Sequence, residues 1–98
     1  MRMVNKIGLA IIEDDRLLLV RKAGLEQLIL PGGKPEGDET DTETIVREIR
    51  EELECEVVLH SLFYMSTFED RRAGSAHDVV RVKLFKAELA GVRSRHLK

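Results

Sequence analysis

The sequence predicts a single α/β domain, on three observations. Short apolar runs of strand length recur between Ile7 and Leu89, and one longer stretch, Asp41 to Glu54, has helical period with no glycine or proline inside it. Ninety-eight residues suffice for one modest core and no more. The apolar fraction of 43% is ordinary for a globular chain, and 35% is charged, with 16 basic residues facing 18 acidic ones. A net charge of −2 argues against a general nucleic-acid-binding surface, while leaving room for a locally acidic site that draws cations.

Ile7 to Ile12 and Leu17 to Val20 read as two strands, paired antiparallel because Glu13, Asp14, Asp15 and Arg16 between them form a polar, hairpin-closing group. Leu28 to Leu30 is a third run. It stops at Pro31 and Gly32, since proline cannot continue a ladder and glycine opens a turn, and a loop then extends to about Glu39. Thr40 or Thr42 caps the following helix, and Thr40 with Glu43 has capping-box spacing. At about 100° per residue, Ile45, Ile49 and Leu53 make one apolar stripe with Val46 at its margin, and Glu48, Glu51 and Glu52 occupy a separate arc. One side of the helix can thus be buried on a sheet while the carboxylates stay over the glycine loop.

Val57 to Leu59, Leu62 to Phe68 and Val79 to Leu89 read as further strands, the last alternating through Val80, Val82 and Leu84 against outward Arg81 and Lys83. Glu69 to Asp78 is a polar loop, either a substrate loop or an ordinary solvated connection. Tyr64 and Phe68 are either base-stacking or core aromatics. Residues 1–89 are expected to form the domain and 90–98 a flexible basic tail. No apolar run approaches the roughly 18 residues of a membrane span. The lone Cys55 and the absence of a secretory leader before Ile7 give the expectation of a cytoplasmic protein.

The densest information lies from Gly32 to Cys55, GGKPEGDETDTETIVREIREELEC. Three carboxylates at spacings of three and four follow a glycine loop, and such a cluster repels itself unless a divalent cation or a positive substrate face compensates it. Oxygen-only ligands suit Mg2+, with Mn2+ as a substitute. Gly32 and Gly33, lacking side chains, let the main chain approach a metal or a phosphate oxygen. The three histidines share no zinc-like spacing. The bland alternative, a solvated helix face paired locally with Arg47 and Arg50, does not account for glycine, Glu39, Arg47-Glu48 and Glu51-Glu52 falling together at these spacings.

This segment resembles the signature box of the Nudix hydrolases: glycine, five residues, glutamate, seven residues, Arg-Glu, an apolar residue, any residue, Glu-Glu, any residue, glycine, apolar. Every charged position matches, while Glu54 stands at the last glycine and Cys55 at the apolar position after it. The resemblance implies an α/β/α sandwich with a mixed β-sheet, and metal-dependent hydrolysis of a nucleoside diphosphate linked to another moiety, nucleoside triphosphates included. It further implies that Glu51 and Glu52 ligate metal, that Glu48 is a ligand or the base activating water, and that Arg47 orients the glutamates. By the same resemblance the Gly32 carbonyl contributes to the metal, Gly33 and Glu39 support the loop, and Arg21 and Lys22 are candidate phosphate contacts; Lys34 is a third candidate because it sits in the loop closer to the site. For Arg21 and Lys22 a charged strand end at the surface is the open alternative.

Beyond Leu89 the likeness stops, because members usually continue into a second helix covering the other sheet face. The uncovered face is expected to expose an apolar patch of roughly several hundred Å2, which a second copy of the chain would cover in a homodimer. Two other expectations follow from the shortened C-terminus: a nucleotide-binding module without turnover, or a fragment of a longer enzyme. At Glu54 a left-handed cap would cost about 1 kcal/mol if kept, and otherwise the helix ends differently.

Overall fold

The computed structural model describes residues 2–21, 24, 26–70 and 78–91. One helix packs on a mixed sheet, so the expected α/β class holds. The strands are β1 (Arg2–Ala10), β2 (Ile12–Glu13), β3 (Arg16–Leu17), β4 (Val20–Arg21), β5 (Leu28–Ile29) and β6 (Gly32–Gly33) before the helix, α1 (Asp41–Leu53). After it come β7 (Glu56–Val57), a 3-10 turn at Leu59–Ser61, β8 (Phe63–Asp70), β9 (Asp78–Lys86) and β10 (Leu89–Ala90).

The main sheet has the order β6-β1-β9-β8. Strands β1 and β9 run parallel over nine residue pairs, from Arg2↔Asp78 to Ala10↔Lys86. Both β6 beside β1 and β8 beside β9 are antiparallel. The first expected hairpin is present as β2 and β3, closed by Asp14 and Asp15, both at positive φ (51° and 62°), the conformation a two-residue hairpin turn requires.

Several boundaries differ from the sequence expectation. The first strand starts at Arg2 rather than Ile7, because β9 supplies a partner along its whole length, which no local pattern reveals. Gly32 and Gly33, read as loop, form β6 against Ile7 and Gly8. Gly32, at φ 137°, lies so close to β1 that a Cβ there would come within 2.0 Å of the Ile7 carbonyl oxygen. The strand read as Val79 to Leu89 is divided into β9 and β10, with Ala87 and Glu88 between them. Ala90, placed in the tail by the sequence, pairs with Glu56 of β7, and residues 92–98 lie outside the described residues. Of the polar loop, Glu69 and Asp78 belong to β8 and β9, and residues 71–77 lie outside the described residues.

The core sits between α1 and one sheet face. Ile45, Ile49 and Leu53 meet Ile7, Leu9, Ile11 and Phe85, with Cys55, Val57 and Leu89 closing one end. The expected helical stripe is therefore the buried one. The inside and outside of β9 are exchanged relative to the expectation. Lys83 is opposite Ile7, so it lies on the helix side, and its Nζ donates to Asp41 Oδ2 at 3.0 Å at the start of α1. Val82 and Leu84 lie on the opposite face with Leu30, where all three approach the position a Cβ on Gly8 would take. On this face Val80 is buried, while Phe63 and Phe68, which pair with Lys86 and Val82, stand 64% and 47% exposed. Tyr64 is also half exposed, and its ring meets Phe85 edge-on at 5.5 Å. Among the described residues no helix is long and apolar enough to cross a membrane.

Candidate active site

The site begins with the start of α1. Thr40 is the cap: its Oγ1 accepts from the Glu43 amide at 3.1 Å, and Glu43 Oε1 accepts from the Thr40 amide at 2.9 Å. This reciprocal pair sets where the helix begins, and so which residues face the glycine strand two and three turns later. At the far end Glu54 adopts the left-handed cap (φ 54°, ψ 36°) and donates its amide to the Arg50 carbonyl at 3.1 Å. The glycine geometry is thus kept without the glycine.

The helix brings Glu48 and Glu52 against β6. Gly32 donates its amide to Glu52 Oε1 at 3.0 Å. Gly33 lies directly under Glu48, since a Cβ there would come within 2.0 Å of Glu48 Oε2. The two glycines and two glutamates that the sequence grouped are therefore together in space, and the main chain of β6 reaches the carboxylates because it carries no side chains.

Arg47 is the hub. Its Nε donates to Glu39 Oε2 at 2.7 Å and its Nη2 to Glu39 Oε1 at 2.9 Å, a two-pronged pairing that only a planar guanidinium makes. The same Nη2 donates to the Lys34 carbonyl at 3.0 Å, which ties the loop after β6 to the helix. Its Nη1 donates to Glu51 Oε1 at 3.1 Å and Glu48 Oε1 at 3.3 Å, with Glu36 Oε2 at 3.6 Å. Part of the positive charge expected from a cation or a substrate is thus supplied by Arg47 itself. The Arg47 side chain, foremost, and then the Glu36 amide hold the Glu39 carboxyl down at about 2, against the opposing effect of desolvation. Arg47 is raised in turn, chiefly by its hydrogen bond to Glu39.

The basic residues fare differently. Arg21 is exposed on β4, and its guanidinium donates to the Glu26 carbonyl. Lys34 is exposed and takes part in the network through its carbonyl. Lys22 lies outside the described residues. Thr44 was not singled out by sequence. It is fully buried, and its hydroxyl lies 3.1 Å from Glu39 Oε1 and 3.0 Å from the Thr40 carbonyl. The available signal was its place one helical turn before Glu48 on the same arc.

Among the described residues, no three His, Cys, Asp or Glu side chains gather tightly enough to hold a metal alone. The donor chemistry nevertheless fits a hard cation. Glu48 and Glu52 are carboxylates set against glycine main chain, and the space beside Gly33 is one that a Cβ would fill.

A comparison with curated proteins finds no match. Among solved structures, the chain resembles the ORF135 protein of E. coli at TM-score 0.76 and 25% identity, covering 96% of this chain and 67% of that one. A UDP-X diphosphatase superposes at TM-score 0.81 and 25% identity, over 95% of this chain and 45% of the other. A MutT Nudix hydrolase from Burkholderia pseudomallei shares the fold at TM-score 0.79 and 24% identity, over 95% and 73%. The chain therefore spans between about half and three quarters of the length of these relatives. A model of the Nudix domain matches residues 3–94, nearly the whole chain, and by that match this protein belongs to the Nudix family.

Proposed function

We propose that this chain is a metal-dependent pyrophosphohydrolase that cleaves the phosphoanhydride of a nucleoside diphosphate linked to another moiety, nucleoside triphosphates foremost. The observation that carries the reading is the seating of Glu48 and Glu52 on the side-chain-free β6, with Arg47 bridging Glu39, Glu48 and Glu51 beside them. Family membership and the likeness to a UDP-X diphosphatase support the same class of substrate.

Glu51, Glu52 and the Gly32 carbonyl would hold Mg2+ or Mn2+, and Glu48 would either join them or take the proton of the attacking water. When bound, the cation supplies charge stabilisation at the phosphoryl oxygens and a lowered pKa for bound water. Arg47 bridges Glu51 and Glu48 through one nitrogen and so offsets their mutual repulsion until a more positive partner arrives. Lys34 and Arg21 stand as candidate phosphate contacts, Lys34 the stronger because its main chain already belongs to the network.

The test is a panel of nucleotides with Mg2+, following release of phosphate or pyrophosphate. Glu51→Gln and Glu52→Gln should each lower kcat by about a hundredfold or more, and EDTA should abolish turnover. Activity that survives both substitutions, or needs no metal, would sink the assignment. A second reading, a nucleotide-binding module without turnover, is favoured by Arg47 already engaging the Glu48 and Glu51 carboxylates, with no three His, Cys, Asp or Glu side chains gathered for a metal among the described residues. Thermal stabilisation by a nucleotide with no hydrolysis of it would select that reading.

A further inference from the structure

We propose that Thr44 is a positioning residue: its buried hydroxyl anchors the Glu39 carboxylate and, through it, sets where Arg47 reaches Glu48 and Glu51. The inference rests on the functional reading above, since it concerns how the same site is held in register.

Thr44 is the only polar side chain that is fully buried among the described residues, at 0% exposure. A buried hydroxyl needs a partner, and the carbonyl one turn back, Thr40 at 3.0 Å, would satisfy it without help. A second acceptor, Glu39 Oε1 at 3.1 Å, comes from outside the helix. Both acceptors compete for the one proton, and the ionised carboxylate is the stronger of them.

Three donors converge on Glu39 Oε1: the Glu36 amide at 2.9 Å, Arg47 Nη2 at 2.9 Å and Thr44 Oγ1. Glu36 is an exposed loop residue, and Arg47 is the group being held. Of the three, Thr44 alone is fully buried, in the first turns of the capped helix, with the restricted rotamers of a β-branched side chain. It is therefore the fixed end of the chain Thr44, Glu39, Arg47. Because the guanidinium is planar and engaged at two atoms by Glu39, fixing that carboxylate also fixes the direction of Nη1, which serves Glu51 at 3.1 Å and Glu48 at 3.3 Å.

Two substitutions separate hydroxyl from shape: Thr44→Val keeps the volume and removes the donor, and Thr44→Ser keeps the donor and removes a methyl. The first readout is NMR of the Arg47 Nε–H, whose exchange with water reports how firmly Glu39 holds it. The second is kcat and KM on whichever nucleotide of the panel is hydrolysed fastest. In Thr44→Val the exchange should quicken and kcat fall, each by about tenfold, with KM nearly unchanged. Thr44→Ser should keep both within about threefold of the parent even where its melting temperature drops. A Thr44→Val protein matching the parent in Arg47 exchange would overturn the proposal, as would Thr44→Ser being as impaired as Thr44→Val. If Thr44→Val does not fold, Thr44→Ala takes its place. Should the parent hydrolyse no nucleotide, the functional reading fails while the exchange measurement still decides the role of Thr44.

Discussion

Replacing Gly33 by alanine separates the site from the fold. The new Cβ would lie 2.0 Å from Glu48 Oε2 and 2.5 Å from Glu48 Cδ. To regain ordinary contact the carboxylate must retreat by about 1.5 Å, given van der Waals separations near 3.5 Å. The atoms in the way are the end of a side chain, not backbone, so the fold can yield. Moving Glu48 off its rotamer costs about 1 kcal/mol, partly offset by the lower chain entropy of alanine in the unfolded state. The melting temperature should therefore change by less than about 6 °C. On the role proposed for Glu48, activity has no such latitude: a displacement of this size should lower kcat/KM by about a hundredfold. The neighbouring Gly32→Ala is the contrasting control. Its Cβ would strike the Ile7 carbonyl oxygen at 2.0 Å, with the backbone at φ 137°, so β6 must leave β1 and stability should collapse with activity. Circular-dichroism melts and nucleotide hydrolysis measured on both variants check the pair. A Gly33→Ala protein with parental melting and parental kcat/KM would refute the claim that Glu48 works from its seat on Gly33.

Two further outcomes follow from the geometry of α1. Glu54→Gly should raise stability by about 1 kcal/mol, or roughly 4–8 °C in melting temperature, by relieving a left-handed cap (φ 54°) at a non-glycine residue; an unchanged or lower melting temperature would show that the cap is not strained. Glu39 titrates in the folded chain at about 2 against an ordinary 4.5, so its contribution is present above 4.5 and lost as pH falls through the folded value. Melting temperature should then decline between about pH 4.5 and pH 2, and Glu39→Gln should flatten that decline. Parallel pH profiles for the two proteins would contradict it.

The helix was the most legible part of the sequence. Its cap, its buried stripe and its carboxylate arc are all consequences of local spacing at 3.6 residues per turn, and each appears where the spacing put it. The strands were legible as existing but not as bounded. A strand's length depends on its partner, and β1 extends back to Arg2 only because β9, more than seventy residues away, runs beside it. The facing of Lys83 was misread for the same reason: alternation says which residues share a side, and only the position of α1 says which side is the core.

Sequence by itself determined the class, the capped helix and the set of charged residues that make up the box, because these are written in nearest-neighbour chemistry. Tertiary structure alone decided that Gly32 and Gly33 form a strand against Ile7 and Gly8, that Glu48 rests on Gly33, and that Arg47 is gripped by Glu39. It also decided that Val82 and Leu84 lie on the sheet face turned away from α1, with Phe63 and Phe68 exposed beside them. The pairing of β6 with β1 and the seat of Glu48 on Gly33 join residues well apart along the chain, through contacts of a few ångströms. Periodicity carries no information about such contacts, since they depend on how the whole core closes.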